Sequence, residues 1–212
     1  MHFSQLLWWG NQGKVTCASA FLGPDVPVVP DVPGYLAASS SYVPASARVV
    51  AFGEPVPKGG GTYKLGEPYQ VDGQWFTPQE DPGYDRIGDA SYYAYEFHGR
   101  RTANGEIFDM WALTAAHPTL PLPSYVYVTN LQNGRTLLLR VNDRGPYAKD
   151  RVIDVSKTAA RYLGFEMRGT TRVRVRYAGP APLSGDDRNE QSFLAHQPWF
   201  QVALSQPPNL DR

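Results

Sequence analysis

Hydrophobic and polar side chains alternate most strictly at Arg172-Val173-Arg174-Val175-Arg176-Tyr177, a period of two that predicts a strand with one apolar and one basic face. Tyr125 to Asn130 alternates in the same way, and Asn133-Gly134 just beyond it is a strong hairpin signal that makes Arg135 to Val141 the partner strand. Ile87 to Tyr93 and Arg151 to Val155 read as further strands. Helical chemistry is concentrated at Ser156 to Gly164, where a polar cap, good helix formers and a closing glycine follow one another. The expected fold class is mainly β, with one or two short helices.

The flanks lack both periods. From Gly23 to Pro57 the chain repeats Pro with Val, Ser and Ala, which predicts a disordered, partly polyproline linker. Lys58-Gly59-Gly60-Gly61 ends it; no Lys-Ser/Thr pair follows, so a flexible hinge is expected rather than a phosphate loop. Tyr63 to Asp85 is rich in aromatics and turn residues around Gln74-Trp75-Phe76, which predicts a short hairpin or a strap. The expected organisation is a disordered Pro-rich segment over 1–60, a hairpin or strap over 61–86, a β-domain over 87–178 and a disordered tail over 179–212.

Charge narrows the function classes. Lys plus Arg and Asp plus Glu both number 20, so no net field gathers nucleic acid or anionic lipid, and no basic run is interleaved with aromatics. Cys17 is the only cysteine, which excludes an internal disulfide and a cysteine-based metal cluster. Neither a metal nor a cofactor is expected. No apolar run is long enough for a transmembrane helix, and Leu6-Leu7-Trp8-Trp9 is too short for a signal peptide. Gly13 to Thr16 is not the run that lipoprotein processing reads, so Cys17 is expected to be a spectator thiol.

Side chains able to do acid or base work fall in two places. One is Thr102 to Asp109, with His117 beyond it; the other is Asn142-Asp143-Arg144-Gly145-Pro146-Tyr147. Asp143 follows an apolar strand, where a strand end can hold a carboxylate at a barrel mouth. An Asx turn that only caps backbone amides fits the spacing equally well.

The runs Gly88 to Tyr93, Phe97 to Met110 and Leu113 to His117 resemble the rare lipoprotein A family, bacterial cell-wall proteins with a six-stranded double-psi β-barrel. The resemblance continues through Val128 to Leu131, Asn133 to Arg135, Val141 to Tyr147 and Ile153 to Ser156. It implies a lytic transglycosylase cutting peptidoglycan strands, preferably peptide-stripped, between N-acetylmuramic acid and N-acetylglucosamine. By that resemblance Glu106, Asp109, His117 and Asp143 form the polar cluster, with Asp143 the favoured acid/base, Glu106 and Asp109 supporting it, and His117 orienting a carboxylate. Tyr92, Tyr93, Tyr95 and Phe97 are candidates for stacking on sugars, and Asn104 for substrate contact. Arg144 is expected to pair with Asp154 or Asp143 and fix the turn, with substrate contact as the other reading.

The same resemblance implies a periplasmic or envelope location, divisome partners and membrane attachment only through a lipid. A misplaced start would account for the missing export signal. A non-catalytic glycan-binding scaffold of expansin type is the alternative, and hydrolysis by Asp143 with Glu106 or Asp109 is a third reading.

Overall fold

In the computed structural model, which describes residues 46–205, the alternating segments pair edge to edge and close on themselves. The barrel strands are β3 (Asp85–Tyr93), β4 (Thr114–Ala116), β5 (Ser124–Asn130), β6 (Thr136–Asp143), β7 (Arg151–Ser156) and β8 (Thr171–Pro180). Their order around the barrel is β3-β7-β4-β6-β5-β8. The β3/β7 and β4/β6 pairs are parallel and the rest antiparallel, the mixed pattern of a double-psi barrel. Closure removes the exposed edges that an open sheet would leave.

Alternation sorts the faces as the sequence predicts. Leu137, Leu139 and Val141 of β6, Ile153 and Val155 of β7 and Val173 and Val175 of β8 are fully buried inside the barrel. Truncating one such Leu to Ala costs about 2–5 kcal/mol. On the outer face of β8, Arg174 forks onto Asp85 (Nε–Oδ1 2.7 Å) and the Arg176 guanidinium lies 5.5 Å from the Tyr127 ring centroid. Helix α1 (Lys157–Leu163) is capped by the Ser156 hydroxyl, which accepts from the Ala159 amide at 3.2 Å. It ends at Gly164, whose left-handed φ of 81° a side chain would strain. Strand β4 goes unseen in the sequence because three residues, Thr-Ala-Ala, are too few to show a period.

The flanks differ most from expectation. Residues 1–45, including Cys17 and most of the Pro-rich linker, lie outside the described residues. Beyond them the chain is irregular but bonded to the barrel: the Val49 and Val50 amides donate to the Gly99 carbonyl, and the Thr62 amide to the Asn104 carbonyl. The glycine run is no hinge. A Cβ on Gly61 would come 2.8 Å from Glu106 Cγ, and one on Gly59 would strike the Ser184 backbone, so glycine is there for close approach. A hairpin does form, β1 (Tyr69–Val71) with β2 (Gln74–Phe76), and it packs on the barrel through Tyr69 and Phe76 against Tyr147. The tail expected to be disordered instead carries α2 (Arg188–Ala195) and α3 (Pro198–Ser205). Phe193 meets Tyr127, Leu194 enters the core and Phe200 meets Tyr162. Tertiary packing supplies the stability that helices of this length lack alone.

Candidate active site

The candidate face is set by a β-bulge. Ala115 pairs with Val141, but Ala116 pairs with Asp143, so Asn142 is the extra residue on β6. Without that insertion Asp143 would continue the buried parity of Leu137, Leu139 and Val141; with it, Asp143 shares the outer face of Ala116. Ala116 also pairs with Asp154, and Asp154 with Ser91. Asp143, Ala116, Asp154 and Ser91 therefore form one row across β6, β4, β7 and β3, in which the small Ala116 separates two carboxylates.

A cleft of about 420 Å³ opens over this row. Its walls include Tyr93, Phe97, Phe108 and Tyr147, with Arg100, Arg101 and Arg151 at its polar parts. Tyr93 stacks on Phe108 at 4.1 Å between centroids and meets Phe97 edge-on at 6.0 Å, leaving aromatic surface for a ring-shaped ligand. Asp143 Oδ1 accepts from the Ala103 and Arg144 amides, both at 2.8 Å, so Oδ2 is the oxygen left to meet a ligand. Burial raises the Asp143 carboxyl to about 6, against the pull of those two amides and of the Arg144 and Lys64 charges. The turn-capping bonds and the cleft position thus coexist in one residue.

Other residues singled out in the sequence stand elsewhere. Glu106 is buried and bound by Arg140 (Nη2–Oε1 2.6 Å, Nε–Oε2 3.1 Å), Asn142 (2.9 Å) and Asn104 (3.0 Å). Burial alone would raise its carboxyl, but the Arg140 and Asn142 hydrogen bonds outweigh that and hold it below the ordinary value. Glu106 and Asp109 line a second hollow of about 70 Å³, walled by Pro57 to Gly59 and by Gly185, Asp187 and Glu190 of the tail. Asp109 Oδ1 accepts from the Trp111 amide at 2.9 Å and lies 3.6 Å from His98 Nδ1. Asn104, buried, also accepts from Thr102 at 2.8 Å, so the Glu106 network braces the loop that presents the Ala103 amide to Asp143.

His117 is buried in the wall, where its Nδ1 accepts from the Thr119 and Leu120 amides at 3.2 and 3.0 Å. Burial and then the Arg144 charge lower its pKa to about 3, so the ring is neutral. It touches Asp143 through the main chain, its amide donating to the Asp143 carbonyl at 3.0 Å. Arg144 pairs with no carboxylate among the described residues: its guanidinium donates to the carbonyls of His117, Leu120 and Leu65, at 3.2, 2.6 and 2.7 Å. Tyr92 turns inward against Phe165 and the core, opposite in parity to Tyr93. Tyr95 lies under Lys157, 4.2 Å from Nζ to the ring centroid.

Asp154 and Arg151 are what the sequence reading passed over as site residues. A carboxylate inside the apolar run Val152-Ile153-Asp154-Val155 is the signal that marks the position.

A closed mixed barrel carrying acids in an outer, aromatic-walled cleft defines a double-psi β-barrel protein. Residues 86–175 match the family model described as Lytic transglycolase. The chain is 45% identical over 154 residues to the endolytic peptidoglycan transglycosylase RlpA of Pseudomonas aeruginosa strain PAO1, covering 72% of this chain and 44% of that protein. It is 46% identical over 127 residues to the protein of the same name in Neisseria meningitidis serogroup A, covering 59% of this chain and 53% of that one. Over the barrel, the chain is thus similar to members of the rare lipoprotein A family. The chain spans about half the length of the curated relatives it matches. A solved structure of a Streptomyces papain inhibitor is similar at a TM-score of 0.39 and 24% identity, covering 47% of this chain and 99% of that one.

Proposed function

We propose that this protein is a lytic transglycosylase that cleaves peptidoglycan between N-acetylmuramic acid and N-acetylglucosamine and leaves 1,6-anhydromuramic ends. The observation that carries the reading is Asp143: a carboxyl in a sugar-sized cleft, raised to about 6 by burial and so able to hold a proton near neutral pH. Its proton passes to the glycosidic oxygen as the bond to C1 of the muramic sugar breaks. The C6 hydroxyl of the same sugar then closes on C1 and gives up its proton to a carboxylate. No water enters, so the product is lighter than a hydrolytic one by one water. The relatives named as endolytic peptidoglycan transglycosylases support the substrate and the class of reaction.

In this reading Tyr93 and Phe97 hold sugar faces, while Glu106, Asn104, His117 and Arg144 position Asp143 through the loops they brace. The protein works in the cell envelope during wall remodelling and daughter-cell separation, in the company of division proteins and, where lipidated, at a membrane. Digestion of amidase-treated peptidoglycan followed by mass spectrometry tests it: anhydromuramyl products are expected. Products heavier by one water would show a hydrolase, and glycan binding without any product would show a scaffold.

A further inference from the structure

The row Asp143–Ala116–Asp154 places a second acid in the cleft at the same level as the first, with only a methyl side chain between them. Neighbouring strands lie about 4.8 Å apart, so the two backbones are separated by about 10 Å, a gap that carboxylates can narrow from either side of a sugar. Glycosidases work with carboxyl groups roughly 5–9 Å apart on opposite sides of the reacting carbon. Tyr93 registers both acids: burial first, then the Asp143 charge, then the Asp154 charge raise its hydroxyl.

The Asp154 end of the cleft is also incompletely satisfied. Asp154 Oδ1, Arg151 Nε and the Tyr93 hydroxyl are all buried without a hydrogen-bond partner among the described residues. Arg151 Nη1 stands 3.5 Å from Asp154 Oδ1, an ion pair too long to be a strong hydrogen bond. Buried polar groups are normally paired, and three orphans on one wall of one cleft mark a place where a ligand's hydroxyls belong. Glu106, by contrast, has each carboxylate oxygen bonded and a cation on it, which leaves it nothing to offer a substrate.

We propose that Asp154 is a catalytic base: as Asp143 gives its proton to the departing N-acetylglucosamine oxygen and the C1–O bond breaks, the muramic C6 oxygen bonds to C1 and its proton passes to the Asp154 carboxylate. Atoms balance without water. Asp143 ends ionised and Asp154 protonated, and exchange with solvent restores both. Burial raises the Asp154 carboxyl to about 6, against the pull of the Arg151 charge and of a backbone hydrogen bond at Ser91, so above that pH it stands as the carboxylate the step needs, and the Tyr93 hydroxyl on β3 stands ready to hydrogen-bond the sugar between the acids. The inference rests on the lytic reading above and divides between two residues the acid and base work that the sequence reading gave to Asp143 alone.

The test is the purified chain on peptide-free glycan strands, wild type beside Asp154→Asn, with product mass and rate followed across pH. Wild-type activity rises as Asp154 ionises and falls as Asp143 loses its proton, a bell whose two limbs belong to the coupled pair. In Asp154→Asn the rate drops by about 10²–10⁴-fold, the acid limb disappears, and the residual product shifts toward the form heavier by one water. Glycan binding stays near wild type and the melting temperature does not fall, which a merely structural role would not allow. Should the Asn variant fail to melt cooperatively, Asp154→Glu replaces it, with the acid limb expected to move. A variant with full rate, or with the acid limb and product unchanged, overturns this inference alone. A wild type that makes no anhydro product overturns the lytic reading and this inference together.

Discussion

Arg140 and Glu106 form a buried, two-pronged ion pair, Nη2 to Oε1 at 2.6 Å and Nε to Oε2 at 3.1 Å, both side chains about 5% exposed. Breaking such a pair leaves a charge stranded in low dielectric. Arg140→Ala is expected to cost about 3–5 kcal/mol in denaturant unfolding. Arg140→Ala and Glu106→Gln together are expected to cost less than the sum of the two singles, as a double-mutant cycle would show.

Asp143→Asn separates stability from activity. The raised carboxyl means that the fold prefers the protonated acid, so it contributes stability at low pH that is lost as pH climbs from about 4 through about 6. The neutral amide keeps an acceptor for the Ala103 and Arg144 amides and removes that cost. Its expected gain at pH 7 is on the order of 2 kcal/mol, read as a higher melting temperature, with glycan cleavage reduced about 10²–10⁴-fold. A variant that keeps wild-type cleavage would remove Asp143 from the chemistry.

His117 sets an acid limit on the fold. Its pKa is lowered from 6.5 to about 3, so the unfolded chain takes up a proton that the fold refuses. The stability it contributes is whole above about 6.5 and is lost as pH falls toward 3, by on the order of 4 kcal/mol. His117→Gln, which keeps an acceptor for the Thr119 and Leu120 amides, is expected to flatten that acid-side decline in melting curves taken across pH.

Gly99 ties the segment around Val49 and Val50 to the barrel. Its φ is +75°, and a Cβ there would collide with the Val50 carbonyl. Gly99→Ala is expected to cost about 1–3 kcal/mol and to release the Val49 and Val50 amides to rapid hydrogen exchange, while the barrel amides remain protected.

Five of the six barrel strands and helix α1 are legible in the letters, because a period of two and a capped helix are local properties. Strand β4 and the tail helices are not, since three residues show no period and sparse aromatics acquire meaning only against Tyr127 and Tyr162. Among site residues, Asp143, Tyr93, Phe97 and Arg144 line the cleft. Glu106, Asp109, Asn104, His117 and Tyr92 stand outside it, although their motifs are adjacent in sequence.

By itself the sequence determined the barrel's alternating core, its hairpin and helix signals, and the presence of Asp143 at a strand end. Those follow from side-chain chemistry read a few residues at a time. Only the tertiary structure decided that the extra residue Asn142 turns Asp143 outward, that Ala116 sets Asp154 beside it, and that Arg140 neutralises Glu106. Register across strands and the pairing of distant charges depend on which segments meet. A bulge of one residue, invisible in the alternation, reverses which face a carboxylate takes.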